Sequence, residues 1–175
     1  MPQLITRAEA LARIRAEGGT PSCLMCAIRD RQVGDTHVLY EDEEQLVSLP
    51  RYVRRWGHVS VLPKAHVTSY LHVDPAVWAR SNALALKAAR VIERVMKPIR
   101  CYLASTGSTA GELTQTSAHL HVHVIPLYLP DDKPADVFSW SDGIYVAERA
   151  EWEELRARYA DDWARDESLR TVHPR

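Results

Sequence analysis

The feature that most constrains this chain is the run His119-Leu120-His121-Val122-His123-Val124, where histidine alternates with an aliphatic residue. Strict alternation is the period of a strand. It predicts three imidazoles on one face and Leu120, Val122 and Val124 on the other, packed against a helix. Alternate positions lie ~6.8 Å apart, so the outer two histidines stand ~13 Å apart along a straight strand, too far to share one metal ion. Histidine has no special preference for strands, so three on one face ask for a chemical reason. A His-x-His pair could ligate the metal of a metal-dependent hydrolase. That site would want Asp or Glu close by, and none occurs between Thr114 and Pro130. The other reason is nucleophilic. A neutral imidazole can attack phosphorus near pH 7 and form a covalent intermediate, provided an acceptor such as a backbone carbonyl holds its other ring nitrogen. A second histidine can then hydrogen-bond the phosphate oxygens or protonate the leaving group.

The rest of the composition narrows the setting. A length of 175 residues suits one domain with a sizeable core. With 46% apolar residues, 26% charged residues and a formal net charge of −1, nothing points to a polymeric nucleic acid or a membrane surface as partner. No apolar run approaches the ~18 residues of a membrane span. Met1 to Gly18 lacks the apolar centre of a signal peptide, so a cytoplasmic protein is expected. Three cysteines, an odd number, argue against a disulfide framework and leave metal binding or plain burial.

Along the chain, Thr6 to Glu17 predicts a short helix, with Thr6 as cap, Glu9 three residues on and Gly18-Gly19 as stop. Cys23-Leu24-Met25-Cys26 reads as a turn. Thr36 to Tyr40, Gln45 to Leu49 and Gly57 to Leu62 read as strands, the first two joined by the acidic turn Glu41 to Glu44. Asp74 to Met96 predicts the longest helix, capped by Asp74, opened by Pro75 and followed by Pro98. Cys101 to Ser105 and Ala118 to Leu127 are further strands, and Glu148 to Trp163 a closing helix. Helices and strands segregate, which predicts an α+β fold with a mainly antiparallel sheet. The expected organisation is an N-terminal helical extension over 1–20, a central domain over 21–130, and a C-terminal loop and helix over 131–175 packed on it.

Three segments together carry a resemblance. His119-Leu120-His121-Val122-His123-Val124-Ile125 matches the pattern His-φ-His-φ-His-φ-φ, with φ apolar. Gly57-His58-Val59-Ser60-Val61-Leu62-Pro63-Lys64-Ala65-His66 is similar to a "GHxLVxPKxH" strand. Gln115-Thr116 is similar to the "GQS" or "GQT" that precedes it, with Thr114 in place of the glycine. On these the chain resembles the histidine triad superfamily, from about Cys23 to Pro126. The resemblance implies a histidine-triad-like antiparallel sheet with one long helix packed on it, and a homodimer. It implies that His121 attacks an α-phosphate to give a nucleotidyl-histidine. His123 would contact the phosphate and support the leaving group, His58 would assist from the neighbouring strand, and Gln115 and Thr116 would bond phosphate oxygens. Pro126 and the tail bearing Gly143-Ile144-Tyr145 are more similar to the fragile-histidine-triad branch, which cleaves dinucleoside polyphosphates.

Cys23 and Cys26 have the spacing of a metal-ligand or redox pair. No Trp- or Pro-bearing helix start supports the redox reading, and burial of both thiols is the bland one. Some triad relatives, the galactose-1-phosphate uridylyltransferases among them, bind zinc through such a pair plus two histidines. By that resemblance a closed, structural zinc is expected on Cys23, Cys26, His66 and His119. Cys101 reads as a core residue, His37 and His72 as structural, and His173 lies in the tail.

The sequence departs from the family at two places. Adenosine-binding members usually place Asp or Asn eight residues before the histidine equivalent to His58; here stands Pro50. The loop Asn before the triad is replaced near Ser105. In compensation, Arg51, Arg54 and Arg55 offer guanidinium groups suited to phosphate, with Arg51 and Ser105 taken as substrate-binding positions, or else form a solvated basic loop. The expected activity is hydrolysis of a dinucleoside polyphosphate or nucleoside phosphoramidate. The alternatives are a nucleotidyltransferase or phosphorylase of the same fold, a nucleotide-binding protein with little catalysis, and the metal-dependent hydrolase above.

Overall fold

The computed structural model describes residues 1–17, 23–34, 36–107 and 117–167. Five strands, β2 (His37–Glu41), β3 (Gln45–Leu49), β4 (Val59–Pro63), β5 (Arg100–Ala104) and β6 (Val122–Leu127), form an antiparallel sheet in the order β2-β3-β4-β6-β5. The helices are α1 (Arg7–Ala16), α2 (Leu24–Arg29), α3 (Pro75–Met96), α4 (Pro134–Ser139) and α5 (Arg149–Arg165); two short strands, β1 (Gln3–Ile5) and β7 (Ile144–Val146), pair antiparallel outside the main sheet. The α+β architecture and the long helix on the sheet are as the sequence predicts.

The long helix forms where the caps demand it. Asp74 accepts from the backbone N–H groups of Ala76 and Val77, and Pro75 opens the first turn. Lys97, in the left-handed region at φ 52°, ends it ahead of Pro98. Its buried stripe of Leu84, Ala85, Ala88, Val91 and Ile92 meets Val59 and Val61 of β4 and Val122 and Val124 of β6. Helix α5 adds Trp152, Leu155, Tyr159 and Trp163 to the same core. The alternation of β4 and β6 therefore sends one set of side chains to the helices and leaves the other for the opposite face. That second face carries His58, Ser60 and Leu62 beside His121 and His123, all lining one cleft.

Several sequence expectations need correction. The last strand does not begin at Ala118: β6 opens at Val122, and the segment before it is tied down by Leu120 donating its N–H to the Val67 carbonyl at 2.7 Å. Leu120 is accordingly buried outside the helix-facing cluster. Cys23 to Cys26, read as a turn, instead cap and open a short helix, Leu24–Arg29. The pairing of β1 with β7 was not foreseen. It ties the N-terminal strand to the segment just ahead of α5, and β7 also bridges Val53 in the connection before β4.

Gly57 is where β4 is entered, and it has no room for a side chain. Its φ is +95°, and a Cβ there would lie 2.6 Å from Tyr159 Oη, which itself donates to the Gly57 carbonyl at 2.9 Å. Gly57→Ala combines positive-φ strain with a clash in a packed core and is expected to destabilise by about 3 kcal/mol. Urea denaturation would register this as a lower midpoint at unchanged slope; an unaltered midpoint would refute it.

Candidate active site and metal centre

The cleft on the sheet face opposite α3 has a volume of about 670 Å³. Its floor is opened by two small residues in mid-strand, Ser48 and Ser60, which are register partners on β3 and β4. Larger side chains there would fill the space. Apolar walls come from Leu24, Met25 and Ile28 of α2 with Leu49 and Leu62, and the far side from Phe138 and Trp140. Such an apolar concavity with a few convergent polar groups is the usual form of a small-molecule site.

Three imidazoles meet at one end of the cleft in a directed chain. His121 Nδ1 lies 2.7 Å from the His119 backbone oxygen. A carbonyl can only accept, so Nδ1 carries the proton and Nε2 keeps its lone pair. His121 Nε2 is 3.0 Å from His123 Nε2, so His123 donates there and is left with an accepting Nδ1. His58 Nε2, 3.0 Å from His123 Nδ1, supplies that hydrogen bond. The chain ends at His58 Nδ1, which is buried with no hydrogen-bond partner among the described residues, as an unprotonated nitrogen at the end of this series would be. One backbone carbonyl thus fixes three tautomers.

Burial holds all three rings neutral. Desolvation pushes His58 and His123 well below the ordinary imidazole range, with help from the Arg54 charge on His58 and from His58, His121 and Arg54 on His123. His121 is lowered as well, chiefly by burial and further by Arg54, against the opposing pull of the His119 carbonyl. A buried neutral imidazole with its lone pair at Nε2 is a competent nucleophile.

His119 faces away from this group. Its Nε2 lies 3.0 Å from the Pro63 carbonyl, so that nitrogen donates and Nδ1 is free as a ligand. Nδ1 is 3.7 Å from Cys26 Sγ and 3.9 Å from Cys23 Sγ, and His66 Nδ1 is 3.2 Å from Cys26 Sγ. The four ligand atoms all fall within 4.8 Å of one another. A tetrahedron with bonds of ~2.0–2.3 Å has edges of roughly 3.3–3.8 Å, close to these separations. Burial, with Cys23 alongside, pushes the Cys26 thiol up to about 11, so shedding its proton calls for a cation among the donors. The Cys-x-x-Cys spacing works because Cys23 caps α2: its sulfur accepts from Cys26 N–H at 3.4 Å, which brings both sulfurs to the same helix end. The residues fit zinc, which would tie α2 to the end of β4 and to the segment before β6.

The remaining expected site residues divide. Arg51 lines the cleft, with its guanidinium held by Glu17 at 2.6 Å. Pro50 forms part of the wall. Ser105 is half-buried just past β5, and it is the following Thr106 and Gly107 that line the cleft. Gln115 and Thr116 lie outside the described residues. Cys101 is half-buried, its thiol raised to about 12 by burial, and His37 is buried against Trp152 with Nδ1 3.3 Å from Glu153, both structural placements. Sequence reasoning missed Ser48, Ser60, Phe138 and Trp140. The serines left a signal, since a small polar residue amid apolar strand positions marks space kept open.

Comparison with known proteins gives a consistent result. Residues 31–129 match the family model described as HIT domain. An uncharacterized HIT-like protein of Borreliella burgdorferi is 29% identical over 116 residues, which cover 62% of this chain and 78% of the relative. A hypothetical histidine triad nucleotide-binding protein of Sulfolobus tokodaii superposes with a TM-score of 0.65 at 26% identity, over 83% of this chain and 94% of that one. A zinc-bound histidine triad family protein of Mycobacterium smegmatis does so with a TM-score of 0.59 at 26% identity, over 85% of this chain and all of that one, 100%. Among the described residues no helix is long and apolar enough to cross a membrane.

Proposed function

This chain belongs to the HIT domain family, and from that premise we propose that it is a nucleotide hydrolase working through a nucleotidyl-histidine on His121. The observation that carries the reading is the directed histidine chain, in which the His119 carbonyl fixes the His121 tautomer and puts its lone pair on Nε2, where it accepts from His123 at the cleft. In the first step Nε2 forms a bond to the α-phosphorus while the bond from phosphorus to the leaving group breaks, its electron pair departing with that group. The N–H of His123, which donates to that lone pair before attack, is released as phosphorus arrives and is then positioned to hydrogen-bond a phosphoryl oxygen or the leaving atom. His58 keeps His123 in the donating tautomer. In the second step water takes the nucleotidyl group, releases a nucleoside monophosphate and restores the imidazole.

The nucleotide-binding description of the Sulfolobus relative supports the substrate class, and the apolar cleft walls suit a base. Dinucleoside polyphosphates and nucleoside phosphoramidates are the proposed substrates. If phosphate rather than water resolves the intermediate, the same site is a phosphorylase. Zinc, which the Mycobacterium relative binds, would here hold structure on Cys23, Cys26, His66 and His119. The free edge of the sheet at β5, with Leu103 exposed, supports a homodimer.

Rapid quenching of wild-type protein with dinucleoside polyphosphates, nucleotide sugars and nucleoside phosphoramidates, followed by intact-mass and peptide analysis, is expected to trap a nucleotidyl group on His121. Nucleotide binding without turnover of any of the three classes would overturn the hydrolase and favour a binding protein.

A further inference from the structure

The connection between β3 and β4 carries three arginines, and the fold treats them differently. Arg51 is ion-paired to Glu17 at 2.6 Å. Arg55 is nearly buried and held by Asp132 and by Asp142, the latter at 2.7 Å. Among the described residues no carboxylate or carbonyl pairs with the Arg54 side chain, and its Nε is buried without a hydrogen-bond partner. The guanidinium instead lies over two aromatic rings, 5.7 Å from the centre of Phe138 and 5.9 Å from that of Trp140. Arg54, Phe138 and Trp140 all line the cleft that holds His58, His121 and His123.

A half-buried cation with no anionic partner among the described residues is costly, and stacking on two rings offsets only part of that cost. Desolvation lowers the guanidinium to about 10. Its charge is felt by all three histidines, and it opposes protonation of each. A group that strains toward an anion, and sits where a neutral nucleophile must meet a negatively charged phosphorus centre, has an evident complement. We propose that Arg54 is the anion-binding residue of the cleft, donating through its guanidinium to the oxygens of a phosphate seated beside His121 and His123 while Phe138 and Trp140 hold it from behind. This rests on the reading above only for the identity of the phosphate's bearer. The same chemistry would seat the phosphate of a nucleotide or inorganic phosphate arriving as acceptor.

The planar fork of arginine suits two phosphoryl oxygens at once, and a charge-assisted pair of bonds of this kind is worth roughly 10–100-fold in affinity. The test titrates inorganic phosphate, adenosine and adenosine monophosphate into wild-type protein, Arg54→Gln and Arg54→Lys. Wild type should bind the monophosphate at least about tenfold more tightly than adenosine. Arg54→Gln should remove that increment and leave adenosine binding unchanged, and Arg54→Lys should restore part of it. Arginine Nε–H resonances of 15N-labelled wild type give a readout free of any folding defect in the variants. The Arg54 signal, assigned by its loss in Arg54→Lys, should shift as phosphate or the monophosphate is added. Equal binding of adenosine and its monophosphate, or an Arg54 signal unmoved at saturation, overturns the proposal. If inorganic phosphate moves that signal but neither nucleoside nor nucleotide binds, the role of Arg54 stands and the nucleotide reading falls.

Discussion

His121→Ala is expected to lower kcat by on the order of 10³-fold or more, with little change in thermal stability. The loss is large because no other group can take over the attack. His123 presents an N–H, not a lone pair, toward the cleft, and its Nδ1 is occupied by His58. His58 stands one ring further back. Truncation removes the proposed nucleophile and leaves the cation at Arg54 and the cleft walls in place, so nucleotide affinity should survive. The His121 ring borders the cleft, and its removal enlarges an existing space rather than opening a sealed void, which keeps the stability cost small. Steady-state turnover of wild type and variant, with melting curves for each, makes the comparison; equal turnover would sink the covalent mechanism.

The second large effect concerns the metal centre. Purified protein should contain about one zinc ion per chain, and prolonged chelation or Cys23→Ala should lower stability by on the order of 3–5 kcal/mol, a fall in Tm of about 10 °C or more for a chain of this size. Two sulfurs and two imidazoles converge there from α2, the segment after β4 and the segment before β6. Among the described residues that corner has a small core: Cys23, Met25, Leu46 and Leu62 are its buried members, with Leu24, Ile28 and Val38 partly buried against them. Turnover should fall with unfolding and not ahead of it, because the proposed mechanism routes no step through the ion. A folded, zinc-free protein indifferent to chelators would contradict the assignment, and immediate loss of turnover in stable protein would move the metal into catalysis.

Much of this was legible in local pattern. Gln45–Leu49 and the helix from Asp74 to Met96 were bounded correctly because a strand period, a cap, an opening proline and a closing proline are all local signals. The antiparallel sheet followed from the segregation of elements. What stayed hidden was non-local. The strands β1 and β7, three residues each, are too short to show a period and depend on partners far along the chain, each other and, for β7, Val53. The start of β6 was misplaced because alternation continues through His119 and Leu120, while the hydrogen bond that holds Leu120 goes to Val67 rather than to a neighbouring strand. The three arginines of the basic connection looked equivalent in sequence. Their difference depends on Glu17, Asp132 and Asp142, at separations of 34, 77 and 87 residues, which no local reading could weigh.

His119 places its ring among the thiols and its carbonyl under the nucleophile, so a single residue belongs to both centres. The approach of Cys23 to His119 closes a span of 96 residues, the kind of long-range contact whose entropic cost delays it until most of the chain has collapsed. Under the proposed mechanism, a copy in which His119 is displaced from the metal ligands loses the carbonyl that orients the His121 lone pair, so activity per molecule would report the fraction correctly assembled.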